Sequence, residues 1–164
     1  MSEIHNNLKR GQKRFRKFAL PVLKHHFGGA WQCVELTKMD LERGVDWYQT
    51  STHSRTDWSV RVWMGRPRRT FSGRLTHLDA PGLELEVGLR FNQMLLNKPC
   101  PDMHCEAYIH HDEVTLYVAP FQNVWRAALQ HFPNLTTFEF SRNGRTTRFI
   151  RIPHNLVDDV ECLV

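Results

Sequence analysis

Asp46, Ser59 and Arg61 are the residues of this chain whose types and spacing suit them to phosphate chemistry. Asp46 ends the run Asp40-Leu41-Glu42-Arg43-Gly44-Val45-Asp46, and Ser59 and Arg61 lie two apart in Trp58-Ser59-Val60-Arg61-Val62-Trp63. A carboxylate is a hard ligand that suits Mg²⁺. A bound divalent cation polarises a phosphate and lowers the pKa of an attacking water. Arginine stays protonated and grips phosphate oxygens with paired hydrogen bonds. A serine hydroxyl is neutral and a weak Mg²⁺ ligand, so Asp46 alone makes a weak metal site. Asp57 shares the Ser59 face but sits one pleat away, about 7 Å along the strand. The positioning elements are a turn and two strands. Gly44 admits an awkward backbone angle, Val45 to Thr50 has strand-type residues, and Asp57 to Met64 alternates polar and apolar residues. Paired side by side, these strands would set Asp46 beside the outward residues of the second.

The Gly-Val-Asp strand and the element order resemble the PD-(D/E)xK nuclease superfamily, with its restriction-endonuclease-like and Holliday-junction-resolvase-like members. In that family an Asp opens one strand, and the next carries Glu or Gln, any residue, then Lys. Asp46 matches the Asp, Ser59 stands where the acid belongs, and Arg61 stands where the Lys belongs. The family often adds an acid on its first helix; the helix predicted at about Lys9 to His26 has none, and Glu3 precedes it. The resemblance spans roughly residues 9–120. It implies an α/β fold, a mixed central sheet flanked by helices, restriction-endonuclease-like, with an added C-terminal hairpin. It also implies a degenerate catalytic site of Asp46, Ser59 and Arg61, Mg²⁺ as cofactor if any catalysis survives, and a plausible homodimer.

The chain has 164 residues, which by size is one domain with a real core. A hydrophobic content of 41% with 10 Phe and 5 Trp argues against disorder. Residues 1–8 read as a flexible tail, and 9–164 as a single domain. No apolar run approaches the length of a membrane span, and the N-terminus lacks an apolar signal core. A cytoplasmic location without membrane partners is therefore expected. The 4 Cys are spread out, at Cys33, Cys100, Cys105 and Cys162, and disulfides are not expected.

The net charge is +5, which favours polyanionic partners. The cations cluster. Lys9, Arg10, Lys13, Arg14, Arg16 and Lys17 form one group; Arg61, Arg66, Arg68, Arg69 and Arg74 form another; Arg142, Arg145, Arg148 and Arg151 form a third. The end of the chain is acidic, with Asp158, Asp159 and Glu161. A surface for DNA or RNA is expected at Lys13, Arg14, Arg61, Arg66, Arg68, Arg69 and Arg74.

Phe15, Phe18, Ala19, Val22, Leu23 and His26 recur at helical spacing, with Pro21 expected to kink or restart the helix and Gly28-Gly29 to end it. Ala30 to Leu36 reads as a strand. Gly65 to Pro81 reads as a basic loop and Leu85 to Leu96 as a helix. Cys105 to His110 and Val114 to Ala119 read as a strand pair. Pro120 opens a helix that Pro133-Asn134 stops. Thr136 to Phe140 and Arg145 to Ile152 form a hairpin around Asn143-Gly144.

A second constellation is Cys100, His104 and Cys105, with His110 and His111 downstream. Soft thiolates and imidazoles suit Zn²⁺, but the spacing matches no paired zinc pattern, and Cys105 is expected to be a small core residue. Trp47, Trp58 and Trp63 lie near the arginines as base-stacking candidates, with core packing expected for at least two of them. The leading functional expectation is a nucleic-acid-binding protein with a nuclease-like fold and an inactive metal site. The alternatives are an atypical Mg²⁺-dependent nuclease centred on Asp46, and a phage- or mobile-element-type inhibitor that binds a defence or repair protein.

Overall fold

A computed structural model describes residues 10–34, 44–64, 82–87, 100–142 and 144–164. The first helix, α1, runs over residues 10–27. Its middle, Phe15–Ala19, is a π turn, and its last part, Leu20–Phe27, is α-helical. Pro21 lacks the N–H that would continue the ladder, and its ring crowds the turn before it. The chain absorbs this by widening that turn, with the Leu20 amide bonding back to the Phe15 carbonyl, so the expected interruption is a π turn. Gly28, at φ 69°, closes the helix with its amide on the Lys24 carbonyl at 2.8 Å. At Gly29, φ 80°, a Cβ would lie 2.8 Å from the Thr50 carbonyl oxygen, so the close approach of the next strands requires glycine.

Strands β1 (Ala30–Cys33), β2 (Trp47–Thr50), β3 (Arg55–Met64), β5 (Met103–His110), β6 (Glu113–Pro120) and β9 (Glu161–Leu163) form a six-stranded sheet in the order β1-β2-β3-β5-β6-β9. β3 and β5 are parallel, and the other neighbours are antiparallel. The expected adjacency of the Asp46 and Ser59 strands holds, with Trp47 opposite Trp58. A three-stranded antiparallel sheet has the order β4-β8-β7, made of β4 (Gly82–Val87), β8 (Arg145–Pro153) and β7 (Thr136–Arg142). The expected C-terminal hairpin is therefore part of its own sheet. Helix α2 (Phe121–His131) follows β6 directly; Pro120, expected to open the helix, is extended and ends the strand one residue before it.

One expectation is corrected. Residues 85–87, read as the start of a helix, lie in strand β4, paired with β8. Gly-Leu-Glu-Leu-Glu-Val alternates with period two, and that pattern wins over the helical spacing to Phe91. Residues 88–96, the tail 1–8 and the 65–81 loop lie outside the described residues.

The main sheet is covered on both faces. On one, Phe15, Ala19, Leu20 and Leu23 of α1 pack on Trp47, Trp58, Cys105, Ala107, Leu116 and Val118. On the other, α2 places Phe121, Val124, Ala127 and Ala128 against Ala119 of β6 and Ile150 and Ile152 of β8. The result is a mixed α/β fold with few helices around a six-stranded sheet. Among the described residues, no helix is long and apolar enough to cross a membrane.

Candidate functional site

The parallel pairing of β3 and β5 sets Ser59 beside His104, Arg61 beside Glu106, and Trp63 beside Tyr108. Side chains alternate along a strand. Trp58, Val60 and Val62 pack with the α1-facing core, so Ser59, Arg61 and Trp63 turn to the opposite face. On β5, Cys105 and Ala107 face α1, which puts His104, Glu106 and Tyr108 on that same opposite face. Ser59 Oγ and His104 Nδ1 are 2.6 Å apart. His104 is 3% exposed and Glu106 fully buried, whereas Ser59 and Arg61 are half-buried.

Aromatic rings from both sheets line this face. The Arg61 guanidinium lies 4.2 Å from the centroid of Phe149, on β8, and 5.6 Å from that of Trp63. Trp63 stacks on Tyr108 at 6.2 Å and donates its Nε1–H to Glu106 Oε1 at 3.4 Å. Arg151 of β8 is buried and stands 5.9 Å from the Trp63 centroid. Burial, helped by the Arg61 charge, pushes the His104 pKa down to about 3. His154 is pushed down to about 4 by burial and by Arg151.

Asp46 has a structural duty. Its Oδ2 accepts the Val60 amide at 2.7 Å, and its own amide donates to the Trp58 carbonyl at 2.8 Å. That second bond is one residue off the β2–β3 register, so the carboxylate takes over where the regular ladder stops. The structure thus ties Asp46 to the strand that carries Ser59 and Arg61, through backbone atoms. Asp57 is engaged elsewhere: its amide donates to Asp102 Oδ2 at 2.8 Å, and Asp102 returns its amide to the Asp57 carbonyl. Among the described residues, no group of three or more His, Cys, Asp or Glu converges on one point. Cys105 lies in the α1-facing core, its thiol pushed up by burial and the neighbouring Glu106 charge, while Cys100 packs against the other core. The two thiols of the cysteine-histidine constellation are therefore divided between the faces of the sheet.

Lys13 and Arg14 are exposed on α1. Arg66, Arg68, Arg69 and Arg74 lie outside the described residues. Trp47 and Trp58 are core residues, 2% and 1% exposed, as expected for at least two of the three tryptophans. Trp63 is half-buried, its ring already engaged by Tyr108 and two arginines. The sequence reading missed His104 and Glu106 as partners of Ser59 and Arg61, and Arg151 as a buried cation. The signal for the first two is the alternation of His104, Glu106 and Tyr108 with Cys105, Ala107 and Ile109. Their partners are 45 residues away across a parallel register. Comparison of the chain with protein-family models, curated proteins and solved structures finds no match.

Proposed function

We propose that this chain binds DNA or RNA by its phosphate backbone, on a nuclease-like scaffold whose metal site no longer catalyses hydrolysis. The observation that carries the reading is the outer face of α1. Arg10, Lys13, Arg14, Lys17 and Lys24 are exposed there, Arg16 is exposed at its edge over the Trp47 ring, and residues 10–27 contain no Asp or Glu. Among the described residues, Arg10, Lys13, Arg14 and Lys24 make no ion pair. Cations held without counter-charge on a packed helix attract a polyanion and release its counterions. The degenerate PD-(D/E)xK reading adds a reason for the missing hydrolysis: one carboxylate, Asp46, already serves the Val60 amide, and Ser59 supplies no second acid. Arg66, Arg68, Arg69 and Arg74 would extend the basic surface.

The test is a panel of labelled single- and double-stranded DNA and RNA, with and without Mg²⁺ or Mn²⁺. Binding that weakens steeply with salt, without cleavage, is expected. Metal-dependent cleavage abolished by Asp46→Ala would replace this reading with the atypical nuclease. A tight protein partner with no nucleic-acid affinity would replace it with the inhibitor.

A further inference from the structure

One aromatic ring of α1 stands apart from the core that the rest of the helix builds. The π turn bonds Leu20 back to Phe15, so Phe15, Ala19 and Leu20 share the core side. Phe27, at the far end, packs on Trp58. Phe18, which the helical spacing assigned to the same apolar stripe, is left at its margin. It is half-buried and, among the described residues, belongs to neither apolar cluster.

A single half-exposed phenyl is ordinary on a protein surface. Its setting gives this one a use. Arg14 comes four residues before it and Lys17 directly before it, both exposed, and the Lys17 ammonium stands 5.1 Å from the ring centroid. Arg16 also lies over a ring, that of Trp47, but Trp47 is 2% exposed and closed to a base. Proteins that hold single strands combine cations along the backbone with aromatic faces on which unpaired bases stack. Phe18 and its neighbours offer both parts to one nucleotide, a cation for the phosphate and a ring for the base. Lys17 sits on a flexible four-carbon stem, so it can leave the ring for a phosphate. A duplex brings the same phosphates, but its base faces are closed within the stack and only base edges show in its grooves.

We propose that Phe18 is a base-stacking platform at the edge of the α1 cations, and that the nucleic acid held there is single-stranded. This rests on the α1 reading of the proposed function and names its substrate class. The unpaired bases have two sources, DNA or RNA.

The experiment measures fluorescence anisotropy of labelled oligothymidylate, oligouridylate and a mixed-sequence blunt duplex on the full chain, across a range of salt. Phe18→Ala should weaken single-strand binding about fivefold or more, the size of one base–aromatic stack, and leave duplex binding unchanged. Its log–log salt slope should equal that of the wild type, because the phenyl carries no charge, whereas Lys13→Gln with Arg14→Gln should flatten the slope. Phe18→Leu keeps apolar bulk without a π face and should bind as weakly as Phe18→Ala. Phe18→Trp should bind at least as tightly as the wild type. A loss on oligothymidylate alone assigns the site to DNA, on oligouridylate alone to RNA, and on both to unpaired bases of either. Unchanged single-strand affinity in folded Phe18→Ala, an equal loss on the duplex, or full affinity in Phe18→Leu overturns the proposal. If Lys13→Gln with Arg14→Gln still weakens binding in that case, the α1 reading survives alone. A wild type that binds none of the three probes sinks both.

Discussion

The two faces of the main sheet are made by alternate residues of the same strands, yet they bury opposite chemistry. Toward α1 the central strands present Trp58, Val60, Val62, Cys105 and Ala107. Toward α2 and β8 they present Ser59, Arg61, His104 and Glu106. The first face needs no explanation beyond removal of apolar area from water. The second keeps charges and an imidazole where well-packed apolar residues would be neutral or stabilising. The central strands thus bury apolar side chains toward α1 and polar ones toward α2 and β8, beside the second apolar core that α2 builds.

The sharpest way to break this comparison is to truncate each face in turn. Trp58→Ala, on the apolar face, removes a ring that packs on Phe27 and Trp31. It should cost about 3–5 kcal/mol in urea denaturation; a loss below about 1 kcal/mol would deny that this face is the core.

Acid should act on the polar face. His104 has a pKa of about 3 in the folded chain against 6.5 as its ordinary value. The unfolded chain therefore binds the extra proton first, and stability rises with pH between these values. The His104 contribution is fully present above pH 6.5 and is lost as pH falls toward about 3. His154, at about 4, adds a loss of the same sign. Stability measured against pH should fall through this window, and the fall should flatten in His104→Gln. An identical slope in that variant would place the titration elsewhere.

Asp46→Ala removes a carboxylate bonded to the Val60 amide and should cost about 1.5–3 kcal/mol. Asp46→Asn keeps an acceptor oxygen and should cost less. Equal, negligible losses would free Asp46 for a metal role. Ser59→Ala leaves the buried His104 Nδ1 without its hydroxyl partner and should cost about 1–3 kcal/mol, with the fold kept; a cooperative collapse would mean that the polar face also carries the fold.

The apolar face was the more legible one in the sequence. The stripe of Phe15, Ala19, Val22 and Leu23 marks α1, and the alternation around Trp58 marks β3, because each pattern is local and strongly periodic. The β5–β6 pair and the hairpin at Gly144 were readable from their turns. β4 was misread because Leu83, Leu85 and Val87 form a short run that competes with a helical reading. β9 was missed: three residues at an edge leave no period to detect. The polar face depends on register. Ser59 was singled out for the acid it lacks, and His104 for a metal; only the parallel pairing brings them together. Asp46 was read by type as a metal ligand, whereas its bond to Val60 follows from the point at which the ladder stops.

The central claim is that exposed cations of α1 hold a nucleic-acid backbone. Its most direct measurement is the salt dependence of binding for wild type and for Lys13→Gln with Arg14→Gln. Four phosphate contacts would give a log–log slope of about −3.6 on duplex DNA or about −2.8 on a single strand. Loss of both cations should flatten it by about 1.8 or about 1.4 respectively, with the melting temperature unchanged because both side chains are exposed. An unchanged slope and affinity in the folded double variant would contradict the account.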